Sequence, residues 1–215
     1  MSQRDESFIR QLRQHAAETL TLLSNPHKTE RERMVVRAFL RCIGKAFTDD
    51  ELLADQREPV DIAFGATRFQ ITSFIGGRKC VQEWRVRQRR YENAKQSSDV
   101  TEPWTASSAV SFQEVSRLVA ESLTKKASHY GFKNCSDLDV LVNVDLTGRH
   151  LWPLTPGLDA RSALVLEKQG WRSVSMLFLP HGAVLATRAD APSFLRDRVG
   201  FVLSKWPNCD GWFDA

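Results

Sequence analysis

Residues 58–75 constrain the folding of this 215-residue chain more than any other stretch. Two apolar-rich runs flank Gly65-Ala66. Glycine at the first central position suits a two-residue type II′ turn, whose twist matches that of the strands it joins. Such a turn sets Phe64 opposite Thr67, then pairs Ile62 with Phe69, Asp61 with Gln70 and Val60 with Ile71. Side chains alternate faces along a strand, so Val60, Ile62, Phe69 and Ile71 share an apolar side. Asp61, Ala63, Gln70 and Thr72 share the other. A carboxylate beside an amide on a polar sheet face is the outline of a metal site that lacks a ligand.

Around this hairpin the periodicity predicts mostly helices. The first runs from about Asp5 to Leu23, with Phe8, Leu12, Ala16, Leu20 and Leu23 on one stripe. Asn25-Pro26 breaks it. A second helix from Thr29 to about Ala46 carries Val35, Ala38, Phe39, Cys42 and Ala46 inward, and Thr29 and Glu32 have capping-box spacing. Gly76-Gly77 ends the hairpin. Arg78 to Lys95 reads as a helix anchored by Val81, Trp84, Gln88 and Tyr91, with a cationic exterior. Residues 96–110 read as a loop. Ser111-x-x-Glu114 opens a helix that ends at Gly131, and Leu138 to Leu146 alternates like a strand, with Asp139, Asn143 and Asp145 on its polar side. Arg172 to Leu179 and Ala183 to Thr187 form a second hairpin around Pro180-His181-Gly182. A short helix from Pro192 to about Lys205 and an aromatic tail, Trp206 to Phe213, close the chain.

Pro59-Val60-Asp61 on one strand, with Gln70-Ile71-Thr72 on the next, resembles the motif of the restriction-endonuclease-like nucleases, PD-(D/E)XK: Pro-x-Asp, then an acid-x-Lys triplet. The chain as a whole is similar to an uncharacterised bacterial family described as endonucleases of that fold. The resemblance implies an α/β domain with a mixed β-sheet flanked by helices on both sides. It covers residues 1–215 as one domain: an N-terminal helix over 1–24, a core over 25–146, and a C-terminal hairpin and helix over 147–215. Helix, paired strands, helix, strand is the element order of that core. The family core also has a strand before the Pro-Asp element, where Glu51 to Arg57 is a poor strand by composition.

The resemblance further implies Mg²⁺-dependent phosphodiester hydrolysis, in which oxygen ligands hold the ion and a cation sits near the developing charge. Asp61 takes the place of the central metal ligand. Gln70 replaces the acid of the triplet, and Thr72 stands where its lysine belongs. A second acid comes in many members from the preceding helix, where Glu30 and Glu32 are the candidates; Glu58 is a third. Glu30 falls with Arg37 and Arg41 on the helical wheel, whereas Glu32 flanks the apolar stripe but is also a capping residue. The missing lysine directs attention to Lys126, which lies among Val115, Val119 and Ala127 on an inward helix face; a lysine in the last turns also snorkels to water. Lys79 and Arg78 are nearer in sequence.

The basic helix supplies the remaining function. Arg78, Lys79, Arg85, Arg87, Arg89, Arg90 and Lys95 face only Glu83 and Glu92 in charge balance, and Arg85 and Arg89 lie one turn apart. With Arg78 and Lys79 they form a surface for phosphates and salt-sensitive binding. The expected partner is nucleic acid, DNA ahead of RNA, with room for a protein partner or a homodimer. A net charge of +4 and a pI near 9.0 permit this. Cys42, Cys80, Cys135 and Cys209 form no Cys-x-x-Cys pair, which argues against structural zinc and fits reduced thiols in the cytoplasm. The five histidines form no ligand pair by spacing, and no apolar run approaches a membrane span or a signal peptide. The departures at Gln70 and Thr72 keep a second class open: an inactive nucleic-acid-binding or protein-interaction module on the same fold.

Overall fold

A computed structural model describes residues 3–55, 59–75, 80–101, 107–146, 148–154 and 157–204. Helices α1 (Gln3–Leu22) and α2 (Lys28–Cys42) are joined by a 3-10 turn at Asn25–His27, with Pro26 early in the turn. Strand β1 (Leu53–Ala54) is very short. Then β2 (Ile62–Phe64) and β3 (Thr67–Ile75) form the hairpin. Helices α3 (Cys80–Asn93) and α4 (Ser97–Val100) lead through β4 (Ser108–Val110) to the long α5 (Phe112–Tyr130). The short α6 (Phe132–Cys135), β5 (Asp139–Asp145), β6 (Arg149–Leu151), α7 (Ala160–Gln169), β7 (Ser173–Phe178), β8 (His181–Thr187), α8 (Ser193–Arg196) and β9 (Val202–Leu203) follow.

Seven strands make one mixed sheet in the order β1-β2-β3-β5-β7-β8-β9. β1, β2 and β3 are antiparallel, β3, β5 and β7 parallel, and β8 and β9 antiparallel again. Parallel strands need crossover connections, here α3 to α5 between β3 and β5 and α7 between β5 and β7; strands covered on both faces read as continuous apolar runs. β7 is accordingly buried along its whole length. One face of the sheet packs Phe69, Leu141, Leu177 and Val184 against Phe39 and Leu40 of α2 and Ile43 just beyond its end. The opposite face packs Val140, Val142, Val174 and Met176 against Val115, Val119 and Leu123 of α5. At Gly182 an added Cβ would lie 2.9 Å from the Cβ of Cys42, so glycine is what lets α2 sit this close to β8. A third, smaller core joins Ile9 and Ala16 of α1 to Tyr91, Ala94 and Val100.

The hairpin follows the expected register, with Ile62 opposite Phe69 and Phe64 opposite Thr67, and Gly65 takes φ +56° as a type II′ turn requires. Val60 departs from it. Instead of sharing a face with Ile62, it packs in the α5-side core, because β2 ends at Ile62 and the chain turns away from β3. The strand expected before the hairpin is the two-residue β1.

Other departures have plain causes. Residues 96–110 include α4 and β4, and β4 pairs with β6 in a separate two-stranded sheet. The helix expected from Pro192 to Lys205 is a single turn, α8; Val202–Leu203 pairs with β8 instead, so tertiary pairing overrides helical spacing. The second helix begins at Lys28 with no side-chain cap, so Glu32 is not engaged in a capping box. Arg78, Lys79, Glu58 and the aromatic tail lie outside the described residues. Among the described residues no helix is long and apolar enough to cross a membrane.

Candidate active site

Because β2 separates from β3 just before Ile62, the carboxylate of Asp61 occupies the fork. Its backbone N–H still donates to Phe69 O at 2.9 Å, but its Oδ2 replaces the next ladder carbonyl and accepts from Ile71 N at 2.8 Å. Gln70 lies alongside, as the register requires, and donates from Nε2 to the same oxygen at 3.0 Å. The amide's other end, Oε1, is buried without a hydrogen-bond partner. An orphaned buried acceptor of this kind costs about 1–3 kcal/mol. It therefore marks a position where a donor or a cation would be favourable.

The first turns of α2 close one side of the fork. Lys28 Nζ bridges Asp61 Oδ1 at 3.0 Å and Glu32 Oε1 at 3.2 Å. The two carboxylates are almost withdrawn from water, 11% and 12% exposed, while the Lys28 side chain is 60% exposed. Burial first, and the neighbouring charge of Asp61 second, push the Glu32 carboxyl above its ordinary value of 4.5. Bonding to Asp61 raises the Lys28 ammonium. Glu30, the other acid considered on this helix, pairs with Arg37 at 2.9 Å instead.

On the opposite face of the sheet, α5 carries Lys126, half-buried, with Nζ 6.0 Å from the centre of the Tyr130 ring. Burial lowers the lysine's pKa, while the charges of Asp61 and Glu32 act to raise it and that of Lys28 to lower it. This lysine therefore lies in the field of the same carboxylates rather than simply snorkelling outward. Asp61 and Gln70 from the hairpin and Lys28 and Glu32 from α2 thus form one bonded group, and Lys126 of α5 lies within reach of its charges. Thr72, two residues beyond Gln70 and partly buried, lines the adjoining cleft with Lys28 and Glu32.

Two carboxylates and an orphaned amide oxygen are hard oxygen donors of the kind that hold Mg²⁺ or Mn²⁺. Turning the Gln70 amide would present Oε1 beside Asp61, an arrangement that is favourable only with a cation between them. The residues present therefore fit a divalent ion, with fewer charges than a three-acid site. No group of three or more His, Cys, Asp or Glu able to hold a metal occurs among the described residues.

Lys28 was not anticipated from sequence, although Lys28 and Glu32 have the (i, i+4) spacing of an ion pair. On the basic helix, Arg87 pairs with Glu83 at 3.2 Å and Arg90 donates to the carbonyls of Asp99 and Thr101. Both support structure. Arg85 and Arg89 are exposed on the outer face of α3, beside the exposed Val86.

Three comparisons bear on what this group does. The family model described as "Putative endonuclease, protein of unknown function (DUF1780)" matches residues 4–205. A solved structure from Pseudomonas aeruginosa strain PAO1, a protein of unknown function in the monooxygenase superfamily, is 25% identical to the chain. It aligns over 92% of this chain and 94% of its own, with a TM-score of 0.63. No curated protein matches.

Proposed function

Since the chain belongs to the family described as "Putative endonuclease, protein of unknown function", we propose that it is a divalent-metal-dependent nuclease of restriction-endonuclease-like architecture, with Asp61 at its centre. The order α2, β1, β2, β3, α5, β5 and the fork at Asp61 support that architecture. The observation that carries the reading is the pairing of Asp61 with Glu32 across Lys28, beside the orphaned Gln70 Oε1, where the hairpin opens. An acid whose pKa is raised first by burial and then by a neighbouring acid, within reach of a lysine whose pKa burial lowers, is the pattern of a site rather than of a solvated surface.

Asp61, Glu32 and Gln70 Oε1 would hold Mg²⁺, which when bound supplies an activated water and charge neutralisation on the phosphate. The chain's own residues do the rest. Ile71 N–H fixes the orientation of the Asp61 carboxylate, and the Gln70 amide, which donates to it before the ion arrives, would turn to offer Oε1. Lys126 supplies the cation that the triplet lacks at Thr72, and burial lowers its pKa below that of an ordinary lysine. Lys28 neutralises the carboxylate pair when no divalent ion is bound, and its exposure lets it move aside. Arg85 and Arg89 bind backbone phosphates outside the site, with DNA preferred to RNA.

The test is cleavage of single- and double-stranded DNA and RNA with Mg²⁺ or Mn²⁺. Cleavage that disappears in Asp61→Ala and is at least 100-fold reduced in Lys126→Met supports the reading; cleavage that survives Asp61→Ala rules this site out. Gln70→Glu with Thr72→Lys restores the fuller motif and should raise activity. One observation favours a second reading, a binding module without catalysis: Lys28 already spans both carboxylates. Nucleic-acid binding by every variant, with no cleavage by any, would establish it.

A further inference from the structure

The ribbon formed by β4 and β6 stands outside the main sheet, and its two faces differ sharply. Its strands run parallel, with Ala109 opposite His150 and Val110 opposite Leu151. Val110 and Leu151 sink into the α5-side core, 1% and 4% exposed. Side chains alternate along a strand, so Ala109 and His150 face away from that core, and both are exposed. The ladder continues one residue past β6, where Trp152 N–H donates to Val110 O at 2.9 Å. Alternation therefore puts Trp152 on the outward face with His150. Trp152 is 62% exposed, more than any other large apolar residue among the described ones. The His150 ring is held in place through Nδ1, which lies 2.9 Å from Ser107 Oγ.

We infer that this face is a stacking platform for single-stranded nucleic acid, with Trp152 and His150 each taking the face of one base; the inference rests on the nucleic-acid reading of the chain. An indole left in water forgoes the burial that tryptophan usually gains, and a flat apolar partner restores it. Spacing names the partner. Residues two apart on a strand are about 6.6 Å from each other. Successive bases in one strand of a duplex are only about 3.4 Å apart, so they cannot meet both rings while stacked on each other. An extended single strand can, because its bases are already splayed. Every base has such a face, so the platform tolerates any sequence. Arg149 stands beside it, 46% exposed, in a loose 3.7 Å contact with Glu114. An exposed pair of that kind contributes little, which leaves the guanidinium available to a phosphate. The ribbon's outward face extends only about 10 Å along strands of three residues. Two bases suit it better than a stable protein interface, which covers about 800 Å² per partner.

Fluorescence anisotropy of a labelled oligothymidylate with the full chain, in EDTA so that nothing is cleaved, tests this without requiring turnover. Trp152→Ala should weaken binding about tenfold or more, and Trp152→Phe should retain most of the affinity. The slope of affinity against salt should not change, because stacking releases no counterions. His150→Ala should weaken binding severalfold as a second, independent position, with thermal melting reporting that each variant is folded. Any binding of a duplex of the same length should be the same in all of them. No oligonucleotide binding by wild type, undiminished binding by folded Trp152→Ala or His150→Ala, or an equal loss on the duplex overturns the inference. The two claims separate cleanly. Asp61-dependent cleavage with binding indifferent to Trp152 overturns the platform and leaves the nuclease. Trp152-dependent binding in a protein that cleaves nothing supports the platform and overturns the nuclease.

Discussion

Two aspartates sit at strand ends of one sheet, and they are partnered in opposite ways. Asp139, at the start of β5, is fully buried, and its partners are protein groups fixed in place. It accepts from Arg172 Nε at 3.1 Å and from a second, closer Arg172 nitrogen, from Ser173 Oγ at 2.8 Å and from Arg68 N at 2.9 Å. Arg172 also donates to Ala66 O, tying the hairpin turn to the centre of the sheet. Asp61 also has its share of partners, but one is an exposed lysine that can leave, another is an amide whose oxygen is unsatisfied, and Glu32 lies close by. Burial of a charge does not by itself identify a site. Exchangeable partners and a neighbouring like charge are what set Asp61 apart from Asp139.

The largest expected effect breaks this comparison if it fails. Removing one partner of a buried pair costs about 3–5 kcal/mol, and at about 2–4 °C per kcal/mol for a chain of this size Asp139→Ala should melt about 6–20 °C lower. Asp61→Ala frees an exposed lysine but orphans Ile71 N–H and the Gln70 amide, so it should cost about 1–3 kcal/mol while abolishing cleavage. Equal melting losses would make Asp61 a second structural charge.

Lys126→Met should move in the reverse direction. Burial lowers the lysine's pKa, so folding carries the cost of confining its charge at neutral pH. Its replacement should therefore raise the melting temperature at pH 7. The folded state gives up this proton at a lower pH than the unfolded chain, whose value is near 10.5. Wild-type stability therefore rises as pH climbs through that window, and the gap to Lys126→Met should narrow. A variant that is both inactive and less stable would place Lys126 in packing alone.

The smallest effect concerns the outer surface. Binding that releases counterions weakens with a slope of about −0.9 per neutralised phosphate on duplex DNA and −0.7 on single strands. Replacing Arg85 and Arg89 by Ala should reduce the slope of log K against log salt by about 1.4–1.8, with melting unchanged. An unaltered slope would leave α3 as a solvated face.

The hairpin was legible because a Gly-initiated turn and strict alternation fix register locally. Asp61 and Gln70 could thus be placed together before any tertiary contact was known. Lys126 was visible as an unexpected lysine on an inward face, but only the packing of α5 across the sheet shows which charges it faces. Lys28 and the release of Glu32 from capping could not be read, since both depend on how α2 meets the fork. Val60 escaped for a related reason: alternation holds only while the strand lasts, and β2 ends at Ile62. α7 carried signals that went unused, Asp159 capping Ser162 N at 2.9 Å and Gly170 in a left-handed C-cap. Asp139 and Asp145 looked equivalent along β5, yet Arg172 from a distant segment claims only the first.

Direct titration of Mn²⁺ tests the central claim most simply, since it asks whether the open carboxylates hold a divalent ion at all. Glu32 must be ionised to bind, and its pKa is raised above 4.5. Affinity should therefore fall as pH drops through a range above that of an ordinary carboxylate. Asp61→Asn should abolish binding, Glu32→Gln should weaken it and remove the pH dependence, and Lys28→Met should strengthen it by removing the competing ammonium. Mn²⁺ binding that is absent in wild type and in Lys28→Met alike, or unchanged by Asp61→Asn, would contradict the account.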